Sequence, residues 1–156
     1  MTPAVKQMEA AGVAFSLAEY EHDPRTPAYG EEAARALGLA PHEVFKTLLA
    51  RLDDGRLAVA IVPVSHRLDL KALARAAGAR RADMAEAEEA RRATGYVLGG
   101  ISPLGQKRRL LTLLDESAEG LPTIHISGGR RGLEICLAPA DLLRLTDARL
   151  APLARR

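Results

Sequence analysis

Cysteine is nearly absent from this chain of 156 residues, which carries a single thiol at Cys136. One cysteine cannot form an internal disulfide, and a chain without disulfides is typical of a reducing compartment, so we expect a cytoplasmic protein. No stretch reaches the roughly 18 apolar residues that a membrane-spanning helix needs. Residues 1–11 also lack the apolar centre of a signal peptide.

Aromatic residues are scarce as well, with three tyrosines, two phenylalanines and no tryptophan. They are too few for the base-stacking platform of an RNA-recognition motif. Tyr20 and Tyr29 flank a proline-bearing loop and can meet one exposed base, although half-buried tyrosines with their hydroxyls in water are the simpler interpretation. The histidines lie at no metal-ligand spacing, so we expect neither a metal nor another cofactor.

The net charge is only +2, but the cations are clustered. Tandem pairs or triplets occur at Arg80–Arg81, Arg91–Arg92, Lys107–Arg109, Arg130–Arg131 and Arg155–Arg156. If the fold brings some of these clusters together, they form a local anion-binding face on a nearly neutral protein. Solvated arginines with no ligand are the alternative.

The chain is long enough to bury a core, and its composition, 47% hydrophobic and 27% charged, is that of a globular protein. We expect one domain over residues 1–156. Periodicity and turn residues predict helices that begin near Thr2, Tyr29, Asp69, Asp83 and Pro139. They predict strands over 13–20, 44–51, 57–62, 110–114, 123–127 and 133–137. Hairpins mixed with helices indicate an α+β fold with a mixed sheet.

A glycine-rich run from Thr94 to Arg109 is the most informative segment. Its glycines let the main chain approach a ligand closely, and such a loop can aim free N–H groups at a carbonyl or oxyanion. The spacing matches neither a dinucleotide fingerprint nor a phosphate-binding P-loop. A plain connection between two elements is the simpler interpretation of such a run.

Lys46 is the most informative single residue, because it interrupts an apolar strand. A lysine there either extends to the strand's edge or lies at the mouth of a pocket, where it can hold a polar group of a substrate. Cys136 alternates with Ile135 and Leu137, and we expect it in the core rather than as a nucleophile. No hydrolytic triad motif is present.

These pieces together resemble the YbaK/prolyl-tRNA synthetase editing-domain family over nearly the whole chain. The matching segments are Met1–Val5, Tyr20–Pro24, Phe45–Leu49, Leu68–Lys71, Thr94–Tyr96, Gly99–Lys107, Ser127–Gly129 and Arg131–Leu133. The resemblance implies a curved, barrel-like mixed sheet with flanking helices. It also implies removal of cysteine from mischarged Cys-tRNA(Pro), in trans, beside prolyl-tRNA synthetase and without a membrane.

By the same resemblance, Lys46 and Gly99 are the expected catalytic residues. The expected substrate-binding residues are Tyr20, Tyr29, Thr47, Gly100, Ile101, Ser102, Pro103 and Glu134. Glu134 stands where relatives often carry aspartate, one methylene shorter. The family mechanism implies that the substrate's own thiol attacks the ester carbonyl. Two alternatives stay open: an Ala-tRNA(Pro) deacylase that activates water, and a non-catalytic module that binds tRNA or the synthetase.

Overall fold

The computed structural model describes residues 1–26 and 29–155, with the side chain of Tyr29 outside the described part. Its α-helices are α1 (Pro3–Ala11), α2 (Tyr29–Leu37), α3 (Leu70–Ala76), α4 (Ala87–Thr94) and α5 (Pro139–Thr146). Its strands are β1 (Phe15–Glu19), β2 (Phe45–Leu52), β3 (Leu57–Pro63), β4 (Arg67–Leu68), β5 (Ala82–Met84), β6 (Leu111–Asp115), β7 (Ile124–Ser127), β8 (Leu133–Leu137), β9 (Arg149–Ala151) and β10 (Ala154–Arg155). The α+β class predicted from the sequence is confirmed.

The strands form three hydrogen-bonded sheets. A five-stranded mixed sheet has the order β5-β2-β3-β6-β9, with parallel pairing of β3 to β6 and of β6 to β9. A three-stranded antiparallel sheet has the order β1-β8-β7, and β10 pairs with β4. Within the described residues these sheets do not close into a barrel. The start of β2 approaches β7 through one parallel bridge between Val44 and His125.

The five-stranded sheet is buried on both faces. On one side Phe45 and Leu49 pack with Ile126 and Ile135 of the three-stranded sheet. On the other, Leu73 of α3 closes a second cluster. Because β2 is packed on both faces, its backbone is held rigidly, and so are the side chains near its first residues.

Local signals explain several helix ends. The Thr2 hydroxyl accepts a hydrogen bond from the N–H of Val5, Pro3 occupies the first turn, and Gly12 ends α1 with a φ of 68°. Asp69 likewise caps α3 by accepting from the N–H groups of Lys71 and Ala72. These starts agree with the sequence-based prediction.

The helix predicted from Asp83 to about Ala93 is present, but its predicted start is wrong. Residues 82–84 form β5, which pairs with β2 through Ala50–Met84 and Leu52–Ala82, and α4 begins only at Ala87. Asp83 is a plausible cap in isolation, but pairing with the exposed edge of β2 and burial of Ala82 outweigh that local preference.

None of the described helices combines the length and the hydropathy that a membrane span requires.

Candidate active site

A pocket of about 340 Å³ opens where the start of β2 meets the three-stranded sheet. Several residues predicted from the sequence line it: Lys46, Thr47, Tyr20, Gly99, Ile101 and Glu134. They come from β2, the end of β1, the glycine-rich loop and β8. Segments far apart in the chain therefore converge on one volume.

Lys46 lies half-buried on one wall of this pocket. Burial lowers the pKa of its ammonium group, Glu31 raises it, and the positive charge of Arg67 lowers it further. Lys46 forms no ion pair with any described residue. A partly desolvated cation without a counter-ion is available to a polar or anionic group of a ligand.

Thr47 follows Lys46 and is 9% exposed, yet it also lines the pocket. Its Oγ1 is buried and has no hydrogen-bond partner within the described structure. An unpaired buried hydroxyl costs about 1–3 kcal/mol, and a polar group in the pocket can satisfy it.

Glu134 lies on the opposite side, on β8, and is 7% exposed. Burial raises the pKa of this carboxyl to about 8, so it is largely protonated at neutral pH and can donate a hydrogen bond. Ser127 stands directly across the antiparallel pair and also lines the pocket. The pKa of Tyr20 is raised, first by burial and then by the neighbouring charges of Glu134 and Glu32.

The glycine-rich loop forms the rim beside Lys46. Gly99 adopts a φ of 88°, which side-chain-bearing residues rarely take. The N–H of Gly100 is engaged by Val97 O at 3.0 Å, whereas the N–H groups of Gly99 and Ile101 make no backbone hydrogen bond within the described chain. Two residues of the pocket lining therefore carry main-chain donors without a backbone acceptor in the described chain.

Two contacts hold this loop in place. The Arg131 guanidinium donates two hydrogen bonds to Leu98 O, at 2.7 and 3.2 Å. A Cβ at Gly100 would lie 3.0 Å from Arg130 Cα, so a side chain there would require the two loops to separate by a few tenths of an ångström. The pocket rim is therefore positioned by an arginine side chain and by close packing of two main-chain segments.

Other predicted residues of the loop lie deeper than the pocket lining. Ser102 is fully buried, and its Oγ accepts from the N–H of Leu104. Gly100 packs on the neighbouring loop, and Pro103 lines a different cavity, beside α1. The geometry gives these three residues supporting positions. The side chain of Tyr29, also predicted at the site, falls outside the described residues.

Helix α2 closes the pocket from the other side. A Cβ at Gly30 would lie 2.5 Å from Val64 Cγ1, so the start of α2 can approach β2 and β3 closely. Glu32 anchors the helix, because its carboxylate contacts His22 Nδ1 at 2.6 Å and accepts from the N–H of Asp23 at 2.8 Å. Burial raises the pKa of Glu32, but these hydrogen bonds outweigh it and leave the pKa lowered.

Sequence reasoning missed several lining residues, among them Glu31, Leu98, Ser127 and Arg130. Arg130 pairs with Glu19 at 2.9 Å across the pocket edge. Its tandem position with Arg131 was a signal of clustered charge, but its partner lies 111 residues away and only the fold reveals it.

Cys136 and His125 lie outside the pocket lining and face each other across β7 and β8. The expectation that Cys136 is a core residue is wrong, because it is partly exposed on the opposite face from Ile135 and Leu137. Burial lowers the pKa of His125. Within the described residues, no group of three or more histidines, cysteines and acids is arranged to hold a metal ion.

Comparison with known proteins identifies the family of this chain. The model of the aminoacyl-tRNA editing domain matches residues 23–145. EbsC of Enterococcus faecalis, assigned as a Cys-tRNA(Pro)/Cys-tRNA(Cys) deacylase, is 36% identical over 126 residues, which cover 81% of this chain and 77% of EbsC.

Solved structures agree with that match. A structure assigned as a trans-editing enzyme for prolyl-tRNA synthetase superposes with a TM-score of 0.85 at 29% identity, covering 100% of this chain and 99% of the other. A second structure, described only as a hypothetical protein, superposes with a TM-score of 0.87 at 25% identity, covering 98% of this chain and 99% of the other. The chain belongs to the aminoacyl-tRNA editing domain family.

Proposed function

We propose that this chain, an aminoacyl-tRNA deacylase by its family, removes cysteine from Cys-tRNA(Pro) in trans to prolyl-tRNA synthetase. The relatives assigned to Cys-tRNA(Pro) and to prolyl-tRNA synthetase support that substrate. The observation that carries the proposal is the pocket itself, where an unpaired Lys46 faces a glycine-rich rim with free main-chain donors. A volume of about 340 Å³ suits a small aminoacyl group and part of the terminal ribose.

The chemistry needs little from the enzyme, because an aminoacyl ester is already activated. We infer that the substrate's thiolate attacks its own ester carbonyl. A C–S bond forms, the C–O bond to the ribose breaks, and the released 3′ oxygen takes up a proton. The product is a strained cyclic thioester, which water then hydrolyses to free cysteine. A thiol pKa near 8.5 leaves a minor thiolate fraction at neutral pH.

In this mechanism Lys46 and the N–H groups of Gly99 and Ile101 stabilise the negative charge that develops on the carbonyl and ribose oxygens. Thr47 Oγ1, Tyr20 and protonated Glu134 orient the amino acid by hydrogen bonds. Rate acceleration then comes from position and electrostatics.

The charge state of the pocket favours the thiol over an activated water. Glu134 is buried and largely protonated below its pKa of about 8, so it is a poor general base at neutral pH. Glu31 is exposed at the mouth, in contact with bulk water. Alanine attached to the same tRNA has no thiol and would need such a base.

A deacylation panel tests the proposal. Purified protein is mixed with Cys-tRNA(Pro) and with Ala-tRNA(Pro), and the remaining aminoacyl-tRNA is followed with time. We expect cysteine to be released at least about a hundredfold faster than alanine. Faster release of alanine would favour the water-activating deacylase, and no release from either substrate would favour a binding module.

A further inference from the structure

A second cavity, of about 840 Å³, shares no lining residue with the pocket and carries six cationic side chains in its wall. It is a groove formed by α3, the β4–β10 pair and residues 79–82. Its cations, all exposed, are Arg67, Lys71, Arg75, Arg80, Arg81 and Arg155. Among the described residues that line it there is no aspartate or glutamate. We call this surface the basic groove.

Two placements in the basic groove work against stability. Arg67 and Arg155 stand directly opposite each other in the antiparallel β4–β10 pair. Lys71 and Arg75 are four residues apart on α3 and share one helix face. Like charges at both kinds of position are destabilising by a few tenths of a kcal/mol. A surface that carries such repulsion without internal counter-ions is suited to a polyanion that relieves it.

The backbone beneath two of the arginines is held firmly. The N–H groups of Arg80 and Arg81 donate to Asp53 Oδ1 at 3.0 and 3.1 Å, and the Asp53 N–H donates to Arg81 O. This carboxylate accepts both main-chain hydrogen bonds through Oδ1, and it forms no ion pair with either guanidinium group within the described structure. Among the described cations of the groove, Arg81 alone forms an ion pair, with Asp83 at 3.7 Å and both groups exposed.

The basic groove begins beside the pocket. Arg67 follows three residues after Val64, which lines the pocket, and its charge lowers the pKa of Lys46. A chain of phosphates leaving the pocket would meet Arg67 first. Five of the six cations are arginines, whose planar forks match phosphate oxygens, and the groove offers no aromatic side chain to read a base.

From this geometry we propose that the basic groove binds the phosphate backbone of the tRNA acceptor stem, without reading its sequence, while the aminoacyl end occupies the pocket. The identity of the bound RNA rests on the proposed function; the polyanion-binding character rests on the groove alone. Contacts of this kind position a substrate and make its affinity depend on salt.

The test uses binding of an uncharged, labelled RNA hairpin with an acceptor stem, so it does not require deacylation. In Lys71→Ala/Arg75→Ala we expect the Kd to rise about tenfold at 0.1 M salt, and the slope of log Kd against log salt to fall by one to two. Lys71→Arg/Arg75→Lys keeps both charges and should stay within about twofold. Removal of a repulsive pair should leave the thermal melt at or above that of the parent protein.

The matched control is Arg108→Ala/Arg109→Ala, which removes two exposed cations from a different surface, near α1. It should change the Kd less than about twofold. An equal or larger loss in the control, or an unchanged Kd in the groove variant, would overturn the proposal. The proposal would also be overturned if the groove variant lost binding to the synthetase but kept normal binding to the RNA hairpin. The groove would then fit an acidic protein surface.

Cleavage of a cysteinyl ester of adenosine, which has no stem, separates this inference from the proposed function. The groove variant should cleave it at the parent rate. If the groove variant failed to cleave the adenosine ester, Lys71 and Arg75 would instead act in the reaction at the pocket. If the parent protein binds the hairpin through the groove but cleaves neither ester, only the proposed function fails.

Discussion

The pocket presents one half-buried cation without an ion-pair partner, whereas the basic groove presents six exposed ones in open solvent. Burial strengthens the field of Lys46 and shields it from salt, because few ions enter the site. Solvent and salt screen the field of each exposed cation in the groove, so the groove attracts an anion through the combined charge of all six. In the account proposed above, desolvation serves the chemistry of the pocket, and charge density serves the binding of a long substrate in the groove.

Lys46→Ala tests the pocket side of this comparison and has the largest expected effect among the variants. Loss of one charge-assisted contact of about 1.5–3 kcal/mol should lower kcat/KM by one to two decades in a protein that still folds. The loss should be similar at 0.1 and 0.5 M salt, measured with the adenosine ester.

The groove variant Lys71→Ala/Arg75→Ala is the control for that measurement. Its defect on full-length tRNA should fade as salt rises. A Lys46→Ala defect that also disappears at high salt would contradict the distinction between buried and exposed cations.

Glu134→Gln addresses the desolvated carboxyl on the opposite wall. Burial raises the folded-state pKa from 4.5 to about 8, so between these values the folded state binds the extra proton. Stability should therefore fall as pH rises from about 5 to 8, by about 2–4 kcal/mol. Glu134→Gln should remove most of that slope in urea unfolding at the two pH values. The exposed Glu119→Gln serves as the control, and an unchanged slope in Glu134→Gln would disprove the assignment.

Thr47→Val removes a buried hydroxyl that has no partner. We expect the free energy of unfolding to rise by about 1 kcal/mol, and kcat/KM to fall threefold to tenfold because the substrate loses a contact. Thr112→Val is the matched control: its hydroxyl donates to Leu110 O, so its loss should destabilise the protein and leave activity intact. Destabilisation by both variants would show that Thr47 is satisfied within the fold.

Cys136→Ser should have the smallest effect. Cys136 lies outside the pocket lining, and the proposed nucleophile belongs to the substrate. Initial rates on Cys-tRNA(Pro) should stay within about twofold of the parent. An inactive, well-folded variant would require a thiol of the enzyme in the mechanism.

Elements with local signals could be predicted from sequence. Thr2, Pro3 and Gly12 mark both ends of α1, and Asp53, Asp54 and Gly55 mark the turn between β2 and β3. The two-residue strands β4 and β10 could not be predicted, because they are defined by their pairing with each other across the chain. The helix start predicted at Asp83 was wrong for the same reason, because pairing with the distant strand β2 determines the conformation of residues 82–84.

The residues of the site divide in the same way, into those with a local sequence signal and those placed by distant contacts. Lys46 could be predicted because a lysine in an apolar strand needs an explanation. Arg130 and Leu98 could not, since the contacts that place them join loops about thirty residues apart or more. Of the tandem cations that the structure describes, only Arg80–Arg81 and Arg155 enter the basic groove, where they meet the isolated Arg67, Lys71 and Arg75.

The most direct test of the central claim compares Cys-tRNA(Pro) with Ser-tRNA(Pro) under single-turnover conditions. The two side chains are close in size, and one methylene is worth only about 1–3 kcal/mol in a pocket, so fit cannot separate them strongly. A thiol is far more acidic and nucleophilic than a hydroxyl. We predict a cysteine rate more than about a hundredfold higher, which rises with pH up to the thiol pKa near 8.5. Equal rates on the two substrates would contradict the account and indicate a water activated by the enzyme.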